Sequence, residues 1–247
     1  MELLRPERTF EPYSTSHWIL IALIVGGALA MALAGRRYRH VAAVRTHARV
    51  FAVVIVVLLL PVLIHRSVPP RWELSHSLPL HLCDLAWMVA AYALWSGQQW
   101  AYAATYYWGL TLTPQAVITP ALDAPGFPHV DFLEFWAQHL LVIWAAAYLT
   151  WGVGRRPGWR DYRSAVAVTL VWMAVTLAFN AAAGTNYGFL SRKPDHPSML
   201  DLLGEWPWYL AVEVAVGMAG WALVTWPWTR RRPPEGRSSG GPEPSPR

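Results

Sequence analysis

The chain has 247 residues, 55% of them hydrophobic and 14% charged, with 16 tryptophans and a mean hydropathy of +0.26. Charged residues average about 25% in soluble domains, so the composition excludes an ordinary soluble globular protein. The formal net charge of +5 calls for no nucleic-acid partner, because arginines flanking apolar runs meet anionic lipid head groups.

Crossing a hydrocarbon core of about 30 Å takes roughly 20 apolar residues. Seven such runs are readable, at 18–34, 50–65, 80–95, 101–118, 132–153, 165–182 and 207–226. They predict an all-α polytopic protein of the cell membrane, a seven-transmembrane-helix bundle. The first run contains "ALAMALAG", which offers cleavage sites of the secretory kind. Its leading segment mixes Glu2, Glu7 and Glu11 with Arg5 and Arg8, and five arginines follow it, which favours an uncleaved anchor with its N-terminus outside. The fourth run carries Thr105, Thr111, Thr113, Pro114 and Gln115, so a buried amphipathic hairpin is its alternative reading. Pro61 and Pro114 are the candidate kinks.

With the N-terminus outside and the C-terminus cytoplasmic, 14 of the 20 basic residues fall inside and six outside, as the positive-inside rule requires. The chain then divides into an extracytoplasmic segment 1–17, a transmembrane domain 18–228 and a Pro- and Arg-rich tail 229–247, which reads as disordered. A lone cysteine, Cys83, allows no internal disulfide.

In this topology the polar residues within the runs collect at one end. His81, Cys83 and Asp84 open the third run, and Gln115 and Thr119 close the fourth. A loop with Asp123, His129 and Asp131 leads into Glu134, Gln138 and His139 on the fifth. Asn180 nears the exit of the sixth, Asn186 and Tyr187 follow it, and Glu213 lies early in the seventh. At a rise of about 1.5 Å per residue, Cys83 sits about 5 Å and His139 about 10 Å inside their runs. Polar groups in hydrocarbon are costly and face a bundle interior or a wet cavity. The expectation is an outer polar pocket over an apolar floor.

The plainer readings are a cysteine acting as a small hydrophobe, packing histidines, and a Glu213 that binds backbone or water. Tryptophans near the run ends form the usual aromatic belt. Among chemical readings, a thiol needs a base, which His139 or His81 can supply, and an orienting group such as Asp84, Glu134 or Gln138. An ionised Asp84 beside the thiol opposes thiolate formation unless it is paired. His81, Asp84, Glu134 and His139 also suit zinc, although no HExxH spacing is present. A non-enzymatic site for lipid or solute, or a transport protein, is the third class. There is no phosphate loop, dinucleotide fingerprint or haem motif, and no cofactor or bound metal is expected.

Four segments carry a resemblance: "LPLHLCD" at 78–84, "WGLTLTPQAVITP" at 108–120, "FPHVDFLEFWAQHLLVIWAAAYLT" at 127–150 and "NYGFLSRKPDHPSMLDLLGEWPWY" at 186–209. In order, they resemble the YwaF-like family of bacterial integral membrane proteins, which is remotely similar to the transmembrane protein 164 group. That similarity implies a cysteine-dependent phospholipid acyltransferase, with Cys83 as nucleophile and His139 as base. His81, Asp84, Gln115, Glu134, Gln138, Asn180, Asn186, Tyr187, Lys193 and Glu213 are the candidates for holding a membrane-lipid substrate.

Overall fold

A computed structural model describes residues 9–40, 43–120, 122, 124–194 and 199–230. Asp123, the first eight residues and all of the tail beyond Arg230 lie outside the described residues. The described chain is helical, and its one isolated β-bridge joins Thr9 to Pro125. The helices are α1 (Thr15–Tyr38), α2 (Val44–Arg66), α3 (Leu82–Ser96), α4 (Gln99–Tyr107), α5 (Thr113–Ile118), α6 (Val130–Ala147), α7 (Trp159–Ala183) and α8 (Trp208–Arg230).

Among the described residues, five helical stretches are long and apolar enough to cross a membrane: Thr15–Tyr38, Val44–Arg66, Val130–Gly152, Trp159–Ala183 and Trp208–Arg230. Helix α3, with 15 residues, is apolar but shorter. The run expected at 101–118 is one rod in three pieces rather than a hairpin: α4, a widened π-helical turn at Trp108–Leu112, and α5. Pro114 explains the interruption, since it has no N–H to donate and its ring crowds the carbonyl one turn back.

Between lipid-embedded helices there is little hydrophobic drive, so close packing relies on small residues. Ala86, Ala90 and Ala93 of α3 share one core with Ala101, Ala103 and Ala104 of α4 and Ala145 of α6. Gly35 of α1 meets Gly152, in the π-helical turn Tyr148–Gly152 that extends α6, and a Cβ on Gly35 would fall 2.5 Å from the Gly152 Cα. Buried hydrogen bonds add direction. Trp108 Nε1 donates to Thr169 Oγ1 at 2.8 Å, and Trp221 Nε1 to Thr111 Oγ1 at 2.8 Å, which ties the α4 rod to α7 and α8.

Helix α6 is the axis of the bundle. Of its apolar window 72% is buried, against 17–22% for the other four long helices. It packs against α1, α2, α3 and α4, so residues on several of its faces meet protein rather than lipid.

Candidate functional site

The stretch before α3 is locked from two sides. Ser77, fully buried, accepts from the Glu73 N–H and donates to the Arg66 carbonyl, each at 2.8 Å, which folds the 67–81 loop back onto the end of α2. On the other side Tyr187, also fully buried, donates its hydroxyl to the Leu74 carbonyl at 2.8 Å and accepts from the Leu78 N–H at 2.9 Å. Asn180 holds Tyr187 in turn, with its amide NH2 donating to the Tyr187 carbonyl and its oxygen accepting the Tyr187 N–H, both at 2.9 Å. Gly188, at φ +67°, passes so close to Trp172 that a Cβ would sit 2.9 Å from the ring, so only glycine fits this turn.

His81 caps α3 through its backbone, its carbonyl accepting from the Asp84 N–H at 3.1 Å. Its Nδ1 accepts the Gly188 N–H at 3.3 Å, and its ring lies 5.0 Å from that of Tyr187. A neutral ring whose Nδ1 accepts must carry its proton on Nε2.

One turn into the helices, Asp84 is 1% exposed and pairs with Arg66, Oδ1 to Nη2 at 2.7 Å. The same guanidinium reaches Glu134 of α6, Nη1 to Oε1 at 2.8 Å. Two carboxylates from different helices thus share one arginine from a third, the pairing that buried charge demands. Arg66 was absent from the sequence-derived site, where it counted only as a flank of the second run. The readable signal was a pair of acids in the first turns of two apolar helices, which calls for a cation at the same depth. The guanidinium partly offsets the Asp84 charge beside the thiol, although it is shared with Glu134.

Cys83 is half-buried, and Arg66 lies within electrostatic range of it. His139 is 4% exposed, and its Nδ1 donates to the Phe135 carbonyl at 2.6 Å, so the lone pair sits on Nε2. Its ring packs 4.3 Å from that of Phe135. Among the described residues no hydrogen bond joins Cys83 to His139. Beside His139, Gln138 is buried with its Oε1 lacking a hydrogen-bond partner among the described residues, as is Asp84 Oδ2.

The remaining candidates lie apart. Gln115 is exposed on α5, and Glu213 faces outward from α8. Asn186 bonds within its own loop, accepting from the Ser191 and Arg192 N–H groups at 3.1 and 3.0 Å. Lys193 lies 3.7 Å from Glu205 and 3.9 Å from Asp201. Among the described residues no group of three His, Cys, Asp or Glu side chains is placed to hold a metal ion, which leaves the zinc reading without a ligand set.

Below the charged layer an apolar groove of about 550 Å³ runs between α2 and α3, walled by Ala52, Val56 and Leu60 on one side and Trp87, Ala91 and Trp95 on the other. Trp87 stands one turn from Cys83 on the same face of α3. A helical bundle with a charge-paired polar layer near one end and apolar grooves along its flanks defines a multi-pass membrane protein. The model of the TMEM164 family matches residues 12–225, and the chain belongs to that family. No curated protein and no solved structure matches the chain.

Proposed function

We propose that the protein is a lipid acyltransferase that works through a thioester on Cys83, with His139 as the base. The carrying observation is that Cys83 precedes Trp87, a wall of an apolar groove, by one helical turn, on a helix that packs against the one bearing His139. The tautomers favour His139 over His81. The first keeps a lone pair on Nε2, while the second commits its own to the Gly188 N–H. Family membership and the YwaF-like motifs support the same pair of residues.

In the reaction, the thiol proton passes to His139 Nε2 as sulfur attacks the ester carbonyl of a donor lipid. The donor oxygen leaves with that proton, and the acyl group stays on sulfur. An acceptor hydroxyl then gives its proton to Nε2 and attacks the thioester, and the thiolate leaves and is reprotonated. Since thiol and imidazole are not hydrogen-bonded, the transfer runs through a bridging water or a rotation of Cys83 as lipid enters. Asp84, Glu134 and Arg66 keep the layer polar, with Arg66 offsetting part of the charge of the two acids. His81, Gln138, Asn180 and Tyr187 frame it, and Arg192 and Lys193 attract the lipid phosphate. We place this layer toward the outer leaflet, in a seven-span bundle of the cell membrane with the N-terminus outside and the C-terminus cytoplasmic.

The test is to incubate purified protein with a tagged diacyl phospholipid and look for a hydroxylamine-labile acyl adduct on Cys83, with transfer to a lysophospholipid. No adduct and no transfer would sink the proposal. The missing thiol–imidazole hydrogen bond favours one other reading, a lipid-binding protein without turnover, which would retain lipid in that experiment and leave it unchanged.

A further inference from the structure

A second apolar cavity, about 530 Å³, lies on the other flank of α2, between α1, α2 and α6. Its walls include Met31 and Ala34, Val54 and Leu58, and Leu140 and Trp144. Val54 and Leu58 are 42% and 52% exposed, so the groove opens sideways from the bundle. It ends at Tyr38 and His47, whose rings stack 5.1 Å apart. From His47 to Leu58 the groove follows α2 for about 17 Å, roughly half the thickness of a hydrocarbon core, which is the depth of one leaflet.

The end of the groove is strongly basic. Arg36 and Arg37 stand in the last turn of α1, Arg39 follows just past its C-terminus, and Arg45 and Arg49 flank His47 on α2. All five are exposed, and positions 36–50 contain no acidic residue. Arg36 donates through Nε to the Trp151 carbonyl at 3.1 Å, which spends one N–H and leaves the rest of its fork free to point outward. Arginines next to the polar end of a leaflet-deep apolar groove complement an anionic head group attached to an acyl chain. A second copy of the chain seated there by symmetry would set one arginine cluster against another, which argues against a dimer.

We infer that the α1–α2–α6 groove binds an anionic glycerophospholipid, with one acyl chain along Met31, Val54 and Leu140 and its phosphate among Arg39, Arg45 and their neighbours. This site is separate from the Cys83 layer, toward the opposite end of α2, and does not depend on acyl transfer.

The experiment is native mass spectrometry of the delipidated full chain in detergent, titrated separately with phosphatidylglycerol and phosphatidylcholine. The expected result is one phosphatidylglycerol retained at a concentration at least about fivefold lower than for phosphatidylcholine, with the preference falling by about fivefold for each of Arg39→Gln and Arg45→Gln. Ala34→Trp or Val54→Trp, both at exposed positions, should fill the groove and abolish the retained lipid while circular dichroism stays unchanged. Equal retention of the two lipids would overturn the inference. So would undiminished phosphatidylglycerol binding by correctly folded Ala34→Trp and Val54→Trp variants.

Discussion

Helices α6 and α8 set up a controlled comparison. Their apolar stretches are each 23 residues long, with best-window mean hydropathies of 1.3 and 1.4, yet 72% of the window is buried in the first and 22% in the second. Each carries a glutamate early in its course. Glu134 of α6 is ion-paired to Arg66, whereas Glu213 of α8 faces outward with no hydrogen bond or ion pair among the described residues. Hydropathy therefore identifies both as membrane-compatible and says nothing about which one carries the site. What separates them is the number of neighbouring helices, because only a helix surrounded by others can supply partners for polar side chains.

Substitutions on the two helices and around them test that contrast. Under the proposed acyl transfer, Cys83→Ala should abolish the thioester and reduce transfer at least about 1,000-fold in a lipid-exchange assay, the scale typical of a lost nucleophile. His139→Gln should lower the rate by about 100- to 10,000-fold with the protein still folded, and restoring a base at this position should recover part of it. Arg66→Met leaves two acids without their cation and should cost about 3–5 kcal/mol, read as a large drop in unfolding temperature in detergent. The double variant Arg66→Met/Asp84→Asn should recover part of that loss.

Smaller effects follow from packing. Gly152→Val forces apart backbones that nearly touch and should cost about 1–3 kcal/mol, together with looser α1 association visible as faster amide exchange. At the bottom of the scale, Glu213→Gln should change stability by no more than about 0.5 kcal/mol and leave transfer unchanged. If Glu213→Gln instead removed activity, the division between a functional central helix and a peripheral one would be broken.

The candidate site was legible in parts, and the parts are instructive. Depth alone put Cys83, Asp84, Glu134 and His139 together, because residues per turn and span length set height along a helix. Azimuth was harder. Gln115 lies just beyond the π-helical turn at Trp108–Leu112, which inserts extra backbone and rotates everything after it away from the face that a straight helix would give. Glu213 needed knowledge of which helices surround α8. Asn180 and Tyr187, expected to hold substrate, buttress the 74–81 segment, a role set by hydrogen bonds to backbone groups that the sequence does not display. Arg66 was passed over because a basic residue ending an apolar run has an ordinary explanation, and only the ion pairs at 2.7 and 2.8 Å distinguish it from its neighbours.

By itself, then, the sequence determined that this is a helical membrane protein with apolar runs at definite places and polar residues gathered near one end. Those features follow from local properties: the hydropathy of about 20 successive residues and the rise per turn. The tertiary structure alone decided that α6 is central, that Arg66 unites Asp84 with Glu134, and that His81 and His139 hold opposite tautomers. Each of these depends on which groups from distant segments meet, since a buried charge or ring nitrogen takes its state from its partners rather than from its sequence neighbours.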